Sequence, residues 1–314
     1  MNKNAKIYIA GHRGLVGSAL VRKLESEGHT SLIRRLHSEL DLTDQKAVNH
    51  FFSTEKPEFV FLAAAKVGGI LANQTYPAQF IHQNLMIQTN VIHSSYVHGV
   101  KKLLFLGSSC IYPKVAPQPI KEEYLMTGPL EPTNSPYAVA KIAGIEMCWA
   151  YNRQYGTHFL PVMPTNLYGP NDNFDLETAH VLPALIRKFH EAKVSNAESV
   201  TIWGTGAPKR EFLHVDDMTD ACLHLMTISE KVKNKKALFN IGTGSDITII
   251  DLAKLIQDIV GFTGKIVSDE SKPDGTPQKL LDITRMKKTG WESKIQLQNG
   301  IKSTYEHFKK SIKH

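Results

Sequence analysis

The sequence predicts an α/β fold, a doubly wound parallel sheet joined to a smaller mixed α/β domain. Three observations carry this reading. A short apolar strand opens the chain and runs through a glycine-rich turn into a helix. Apolar runs then alternate with helical stretches as far as Met163, and beyond Asn171 the alternation fades into shorter, more polar segments. Strands that alternate with helices pair in parallel, bury both faces and gather ligands at their carboxyl ends. At 314 residues and 42% hydrophobic, the chain can bury the core this requires.

Lys6 to Ala10 reads as a buried strand. It leads into Gly11-His12-Arg13-Gly14-Leu15-Val16-Gly17 and a helix that turns Val16, Ala19, Leu20 and Leu24 toward the sheet. The glycines allow a tight turn, close approach of a pyrophosphate and packing of helix on strand, with the helix N-terminus facing the phosphates. The spacing is Gly-x-x-Gly-x-x-Gly instead of the commoner Gly-x-Gly-x-x-Gly, and an ordinary tight turn is the alternative. In this strand-to-helix setting the turn marks a Rossmann-type sheet. After the second strand, near Ser31 to Arg34, come Arg34, Arg35 and His37, with no acid before Glu39. That set suits the 2′-phosphate of NADP(H) better than the free 2′-hydroxyl of NAD, although three solvated basic residues would look the same. Asp41-Leu42-Thr43-Asp44 sits where a loop could touch the adenine, and Thr43 or Asp44 would equally serve as a helix cap.

Glu58 to Ala65 gives a further strand, ending in the small residues Ala63-Ala64-Ala65-Lys66-Val67-Gly68-Gly69, which permit close approach of a ligand. A helical stretch from Pro77 to His98 leads to Lys102-Leu103-Leu104-Phe105-Leu106 and then Gly107-Ser108-Ser109-Cys110, at a strand's carboxyl end. Pro113 to Pro136 holds six prolines but no shift in composition, and reads as an ordered loop near the ligand, not a linker. Ser135 suits an N-cap and Pro136 the first helical position. Tyr137 and Lys141 then lie one turn apart on one face. An ammonium beside a phenol lowers its pKa from about 10 toward neutrality and makes Tyr137 a proton donor to a developing alkoxide, the acid a carbonyl reduction needs. Spacing alone does not decide this, because chance supplies about one such pair and Tyr305 with Lys309 is another.

Phe159 to Met163 is the next strand, closed by Pro164-Thr165-Asn166-Leu167-Tyr168-Gly169-Pro170, and Phe239-Asn240-Ile241-Gly242 returns to the sheet. Thr201 to Gly206, Arg210 to Asp217 and Lys272 to Leu281 read as turns and polar surface. Residues 1–170, with a return segment at about 214–244, form the expected cofactor domain, and 171–213 with 245–314 the smaller one.

The formal charge of +7 and pI near 9.1 favour anionic ligands such as phosphorylated nucleotides, or reflect a generally basic surface. No aromatic-interleaved basic stripe suggests nucleic acid. Cys110, Cys148 and Cys222 are few and far apart, which fits a reducing cytoplasm and neither a disulfide framework nor a zinc site. The run Ile7 to Ala10 is too short for a signal peptide, and Phe59 to Ala65 too short for a bilayer span.

Together, Gly11 to Gly17, Ser108, Tyr137 and Lys141 resemble the extended short-chain dehydrogenase/reductase superfamily that acts on nucleotide sugars. The stretches Ala63 to Gly69, Gly107 to Pro113, Glu131 to Tyr137 and Arg210-Glu211-Phe212-Leu213-His214-Val215-Asp216-Asp217 narrow the resemblance to its bifunctional NADPH-dependent 3,5-epimerase/4-reductases, from Lys6 to the end of the chain. These convert GDP-4-keto-6-deoxy-D-mannose to GDP-L-fucose. The resemblance implies a homodimer, with an interface sought in Pro77 to His98 and Tyr137 to Tyr155, and makes Tyr305 with Lys309 a surface coincidence. It implies that Ser108, Tyr137 and Lys141 reduce the ketone and that Cys110 and His180 epimerise. It implies cofactor contacts from Gly11, His12, Arg13, Gly14, Leu15, Val16, Gly17, Arg35, His37, Asp41, Leu42, Ala64, Leu106, Gly107, Lys141, Pro164, Thr165, Asn166, Leu167 and His180. Substrate contacts would come from Ser109, Lys188, Trp203, Arg210 and Asp274.

Two chemical arguments stand beside the resemblance. A ketone at C4 makes the C3 and C5 protons removable, and inversion then needs a base on one face and an acid on the other, roles open to a thiol and an imidazole. Related dehydratases carry an Asp-Glu pair where Ser109 and Cys110 stand here, so this chain should not eliminate water. His37 and Gln278 depart from the arginines common at their positions. Asp216 and Asp217 beside His214 read as a helix cap more readily than as a metal site. A single-function reductase or epimerase is disfavoured by Cys110 with His180, and a non-catalytic cofactor sensor by the intact Ser108, Tyr137 and Lys141.

Overall fold

The computed structural model describes residues 1–272 and 274–312. The strands are β1 (Ile7–Ala10), β2 (Leu32–Ile33), β3 (Phe59–Leu62), β4 (Lys102–Leu106), β5 (Phe159–Pro164), β6 (Asn166–Tyr168), β7 (Ser199–Trp203), β8 (Lys209–Arg210), β9 (Phe212–His214), β10 (Phe239–Ile241), β11 (Ile247–Thr248), β12 (Lys265–Asp269) and β13 (Gln278–Lys279). The helices are α1 (Leu15–Ser26), α2 (Gln45–Glu55), α3 (Ile70–Thr75), α4 (Pro77–Val97), α5 (Ser135–Tyr155), α6 (Val181–Val194), α7 (Val215–Ile228), α8 (Ile249–Val260), α9 (Thr284–Lys287) and α10 (Leu297–Ser311).

Six strands form one parallel sheet in the order β10-β5-β4-β3-β1-β2. Ile7 registers with Phe59, Phe59 with Lys102 and Leu103 with Phe159, and β10 pairs with β5 from Phe239 opposite Val162. β1, β3, β4 and β5 are buried at every position, as expected of strands covered on both faces. α2, α4 and α5 cover one face around Tyr8, Phe52, Val91 and Phe105; α1 and α7 cover the other around Leu20, Leu24, Met218 and Met226. A third apolar cluster joins α6, α8 and α10 through Ile186, Phe189, Ile256 and Tyr305. No helix among the described residues is long and apolar enough to cross a membrane.

Several local expectations are corrected. Ser135 is not the N-cap of α5. A 3₁₀ turn over Pro132–Asn134 feeds directly into the helix, so Ser135 is already helical at φ −55° and Asn134 takes the cap position. Neither Asp216 nor Asp217 caps α7; His214 does, its Nδ1 accepting the Asp216 N–H at 3.2 Å. Asp44 does cap α2, accepting from the N–H groups of Lys46 and Ala47. The segments read as polar turns hold β7, β8, β9 and β13, and β8 pairs with both β11 and β13. Tyr305 is buried against the third cluster and bonded to His190, with Lys309 4.9 Å from its ring; it is a core tyrosine, not a surface one.

Candidate functional site

The glycine turn between β1 and α1 is packed so tightly that side chains are excluded. Gly11 has φ +84°, and a Cβ there would lie 2.8 Å from the Ala64 nitrogen; a Cβ on Gly17 would lie 2.0 Å from the Gly11 carbonyl oxygen. The first turn of α1 has no side-chain cap and no acidic residue. Its free N–H groups and the positive end of the helix dipole therefore face the turn, the arrangement a bound pyrophosphate needs. Ala64 lies just past β3. Of the basic residues after β2, Arg34 pairs with Glu25 at 3.1 Å, Arg35 pairs with Glu55 and lies 5.7 Å from the Phe51 ring, and His37 is open to solvent. Burial and the adjacent Arg13 and Arg34 charges lower the pKa of His12. Asp41 turns back on Thr43, and the Leu42 carbonyl accepts from Asn90.

β4 ends at Leu106, and Gly107 is pressed against Met163, whose sulfur would lie 2.4 Å from an added Cβ. Ser108 begins a 3₁₀ turn, its hydroxyl accepting the Cys110 N–H at 3.4 Å and standing near enough to the Tyr137 phenol to act on it. Tyr137 packs edge-on to Phe80. Lys141 donates to the Leu106 carbonyl at 2.8 Å and lies 5.8 Å from the Tyr137 ring and 4.9 Å from that of Phe105.

This geometry brings the pair together but corrects the expected electrostatics. Burial pushes the Lys141 ammonium down to about 7. The Tyr137 phenol is pushed up, chiefly by burial and further by Cys110, against the opposing effect of Ser108. In the chain alone both groups are desolvated, so the neutral form of each is favoured. A lysine that is only partly charged at neutral pH cannot hold the phenol down.

Cys110 is half-buried, with Lys279 Nζ 3.9 Å from its sulfur. His180 caps α6 at the end of the loop after β6. It is open to the cleft on one side and crowded by protein on the others; that burial, followed by the Lys279 charge, lowers its pKa. Lys279 thus contacts Cys110, and its charge reaches His180. Arg210 senses the charges of Cys110 and Asp274, and burial lowers its pKa. The loop before His180 is tied to the loop after β3 through the Gly69 N–H, which donates to the Thr178 carbonyl at 3.2 Å.

On the far side of the cleft Trp203 is half exposed, with Lys188 5.9 Å and Lys272 5.8 Å from its ring. Lys188 donates to the Thr201 carbonyl, and burial lowers its pKa. Asp274 uses both carboxylate oxygens on Thr205, at 2.8 and 2.9 Å, so it shapes the loop beside Trp203. Gln278 donates to Asp246 at 2.6 Å. Thr165 and Asn166 both donate to the Glu211 carbonyl, which fixes the chain after Pro164. Ser109 is buried, and Leu106 and Pro164 end their strands. Leu15 and Val16 open α1, and Leu167 lies in β6.

A profile of the NAD dependent epimerase/dehydratase family matches residues 7–242. A GDP-L-fucose synthase of Arabidopsis thaliana is 60% identical over 311 residues, covering 99% of this chain and 95% of that protein. The chain belongs to the GDP-L-fucose synthase family. Another member, from Escherichia coli strain K12, is 56% identical over 308 residues, 96% of each chain. Among solved structures, a GDP-mannoheptose C4 reductase of Campylobacter jejuni with NADP bound is 45% identical, with a TM-score of 0.92 over 98% of this chain and 99% of that one.

Two residues of this family member went unread in the sequence. Lys279 stands in a run that reads as a polar turn, and only the pairing of β13 with β8 carries it to Cys110. Glu211 is fully buried and accepts the N–H groups of Thr243, Gly244 and Leu281 at 2.6, 2.7 and 3.0 Å, joining three loops around the site. Nothing in the run Lys209-Arg210-Glu211-Phe212-Leu213, three charged residues before two apolar ones, signals that burial.

Proposed function

We infer that the chain catalyses the NADPH-dependent 3,5-epimerisation and 4-reduction of GDP-4-keto-6-deoxy-D-mannose to GDP-L-fucose. The activity is that of the family to which the chain belongs. The supporting observation in the site is the convergence of Cys110, His180 and Lys279 beside Ser108, Tyr137 and Lys141.

NADPH, when bound, would supply the hydride for C4, and the glycine turn would hold its pyrophosphate. Gly11 and Gly17 keep side chains out of the phosphate cradle, and the N-terminus of α1 presents its free N–H groups there. The C4 ketone acidifies C3–H and C5–H. Cys110 and His180 take and give the protons at those carbons, with Lys279 Nζ 3.9 Å from the Cys110 sulfur. Ser108 and Tyr137 hydrogen-bond the C4 oxygen, which stabilises the enolate during inversion and receives the Tyr137 proton during reduction. With an anionic cofactor bound beside it, Lys141 would hold its charge more readily and would then lower the Tyr137 pKa. Arg210 and Lys188 meet the GDP pyrophosphate, Arg210 in the bidentate manner open to a guanidinium, and Trp203 and Asp274 border the substrate.

Residues 1–170 with 214–244 serve the cofactor and the remainder the substrate, a division supported by the separate apolar cluster of α6, α8 and α10. We place the enzyme in the cytoplasm as a homodimer; Val97, Val139 and Tyr155, exposed on α4 and α5, support that interface.

The competing reading is reduction without inversion, favoured by the C4 reductase among the similar structures. Two variants separate the readings. Tyr137→Phe should stop NADPH oxidation while solvent deuterium still enters C3 and C5. Cys110→Ser should bind NADPH and lose that exchange, and full exchange in this variant would remove Cys110 from the mechanism.

A further inference from the structure

Cys110 also lines a small polar cavity of about 10 Å³, close to the room one water molecule requires. Lys114, Glu131, Asn134 and Lys279 line it too. Asn134 Oδ1 is buried and has no hydrogen-bond partner among the described residues. A buried acceptor of this kind requires a donor, and an enclosed water is the usual one. Glu131 Oε2 is likewise buried with no hydrogen-bond partner among the described residues, and lies 2.9 Å from Lys114 Nζ, whose side chain is 45% exposed, so the way from the cavity wall to solvent runs along Lys114.

The chemistry of two inversions supplies a reason for such a path. Each inversion leaves the base carrying one extra proton and the acid lacking one. Use of the same pair at the second carbon, in the same sense, requires both groups to be reset. His180 is open to the cleft and can recover its proton there. Cys110 lines the cavity and, on the reading above, also meets the substrate.

We propose that the cavity water, held by Asn134 and the Lys114–Glu131 pair, is a proton exit that returns Cys110 to its thiolate between the two inversions. The thiol S–H passes its proton to the water, the water passes one of its own to the Glu131 carboxylate, and Glu131 releases it to bulk solvent beside Lys114. One proton leaves the protein, the thiolate re-forms and no electrons are transferred. Glu131 acts as a relay and does not touch the substrate. This rests on the reading of Cys110 as a base at C3 and C5.

Glu131→Gln keeps the size of the side chain and its contact with the Thr133 N–H but cannot carry the proton. Reaction in deuterium oxide with NADPH should give, from the unaltered chain, a reduced product with solvent deuterium at both C3 and C5. In Glu131→Gln, reduction should intercept the half-inverted ketone, and the share of singly inverted, singly deuterated product should rise about tenfold or more, the scale of a lost proton-transfer group. NADPH affinity should be unchanged, and added imidazole buffer should restore double inversion. A purely structural effect of the substitution would not respond to imidazole. An unaltered product ratio in Glu131→Gln, or a rise that imidazole does not relieve, overturns the exit. Absence of solvent deuterium in the product of the unaltered chain would instead overturn the reading of Cys110 and His180.

Discussion

Gly17→Ala tests the cofactor turn. The added methyl carbon would lie 2.0 Å from the Gly11 carbonyl oxygen and 2.8 Å from His12 Cα, both backbone atoms that no rotamer change can move aside. Ordinary contact begins at about 3.4 Å, so α1 and the turn must separate by about 1.4 Å. Overpacking on this scale costs about 1–3 kcal/mol of stability. It also carries the N–H groups at the start of α1 out of hydrogen-bond reach of a pyrophosphate. Two charge-assisted bonds at about 1.5 kcal/mol each amount to about 3 kcal/mol, or roughly 100-fold in Kd. Gly14→Ala is the control, because its Cβ would meet the same carbonyl at 3.5 Å and its φ is −72°. Fluorescence titration with NADPH and thermal unfolding check both variants. Gly17→Ala should bind NADPH about 100-fold more weakly and melt lower, with Gly14→Ala melting as the unaltered chain. A Gly17→Ala chain that binds and melts normally would refute the packing argument.

Two further outcomes follow from buried charge. Burial pushes Lys141 down to about 7 from an ordinary 10.5, so between those values the unfolded chain holds more protons and stability rises with pH. From pH 7 to 9 the urea midpoint of the cofactor-free chain should move up by the equivalent of about 2 kcal/mol, and Lys141→Met should lack this component; identical pH dependence in the two chains would contradict the lowered pKa. Glu211→Ala leaves the N–H groups of Thr243, Gly244 and Leu281 without their acceptor. A loss of about 3 kcal/mol or more is expected, seen as a melting temperature lower by about 6 °C or more.

The sheet was legible because its strands are short continuous apolar runs separated by helices, and the glycine turn because a dense run of glycines follows the first of them. Tyr137 and Lys141 were legible as neighbours but not as electrostatic partners; their charge states depend on burial by Phe80, Phe105 and the end of β4, which no spacing reveals. The short strands β8 and β13 carry no periodicity. Their pairing, which brings Lys279 to Cys110, comes from contacts between segments some 70 residues apart in sequence. The cap of α7 was misread because Asp216 and Asp217 are the better capping residues by type; Asp217 instead accepts the N–H groups of Lys294 and Ile295, and Asp216 pairs with Arg22.

The most direct test of the account is to incubate the chain with GDP-4-keto-6-deoxy-D-mannose and NADPH in deuterium oxide and to determine the configuration and isotope content of the product. The expected product is GDP-L-fucose, with solvent deuterium at C3 and C5 and protium from the cofactor at C4. A 6-deoxyhexose reduced at C4 but retaining the starting configuration and protons at C3 and C5 would contradict it.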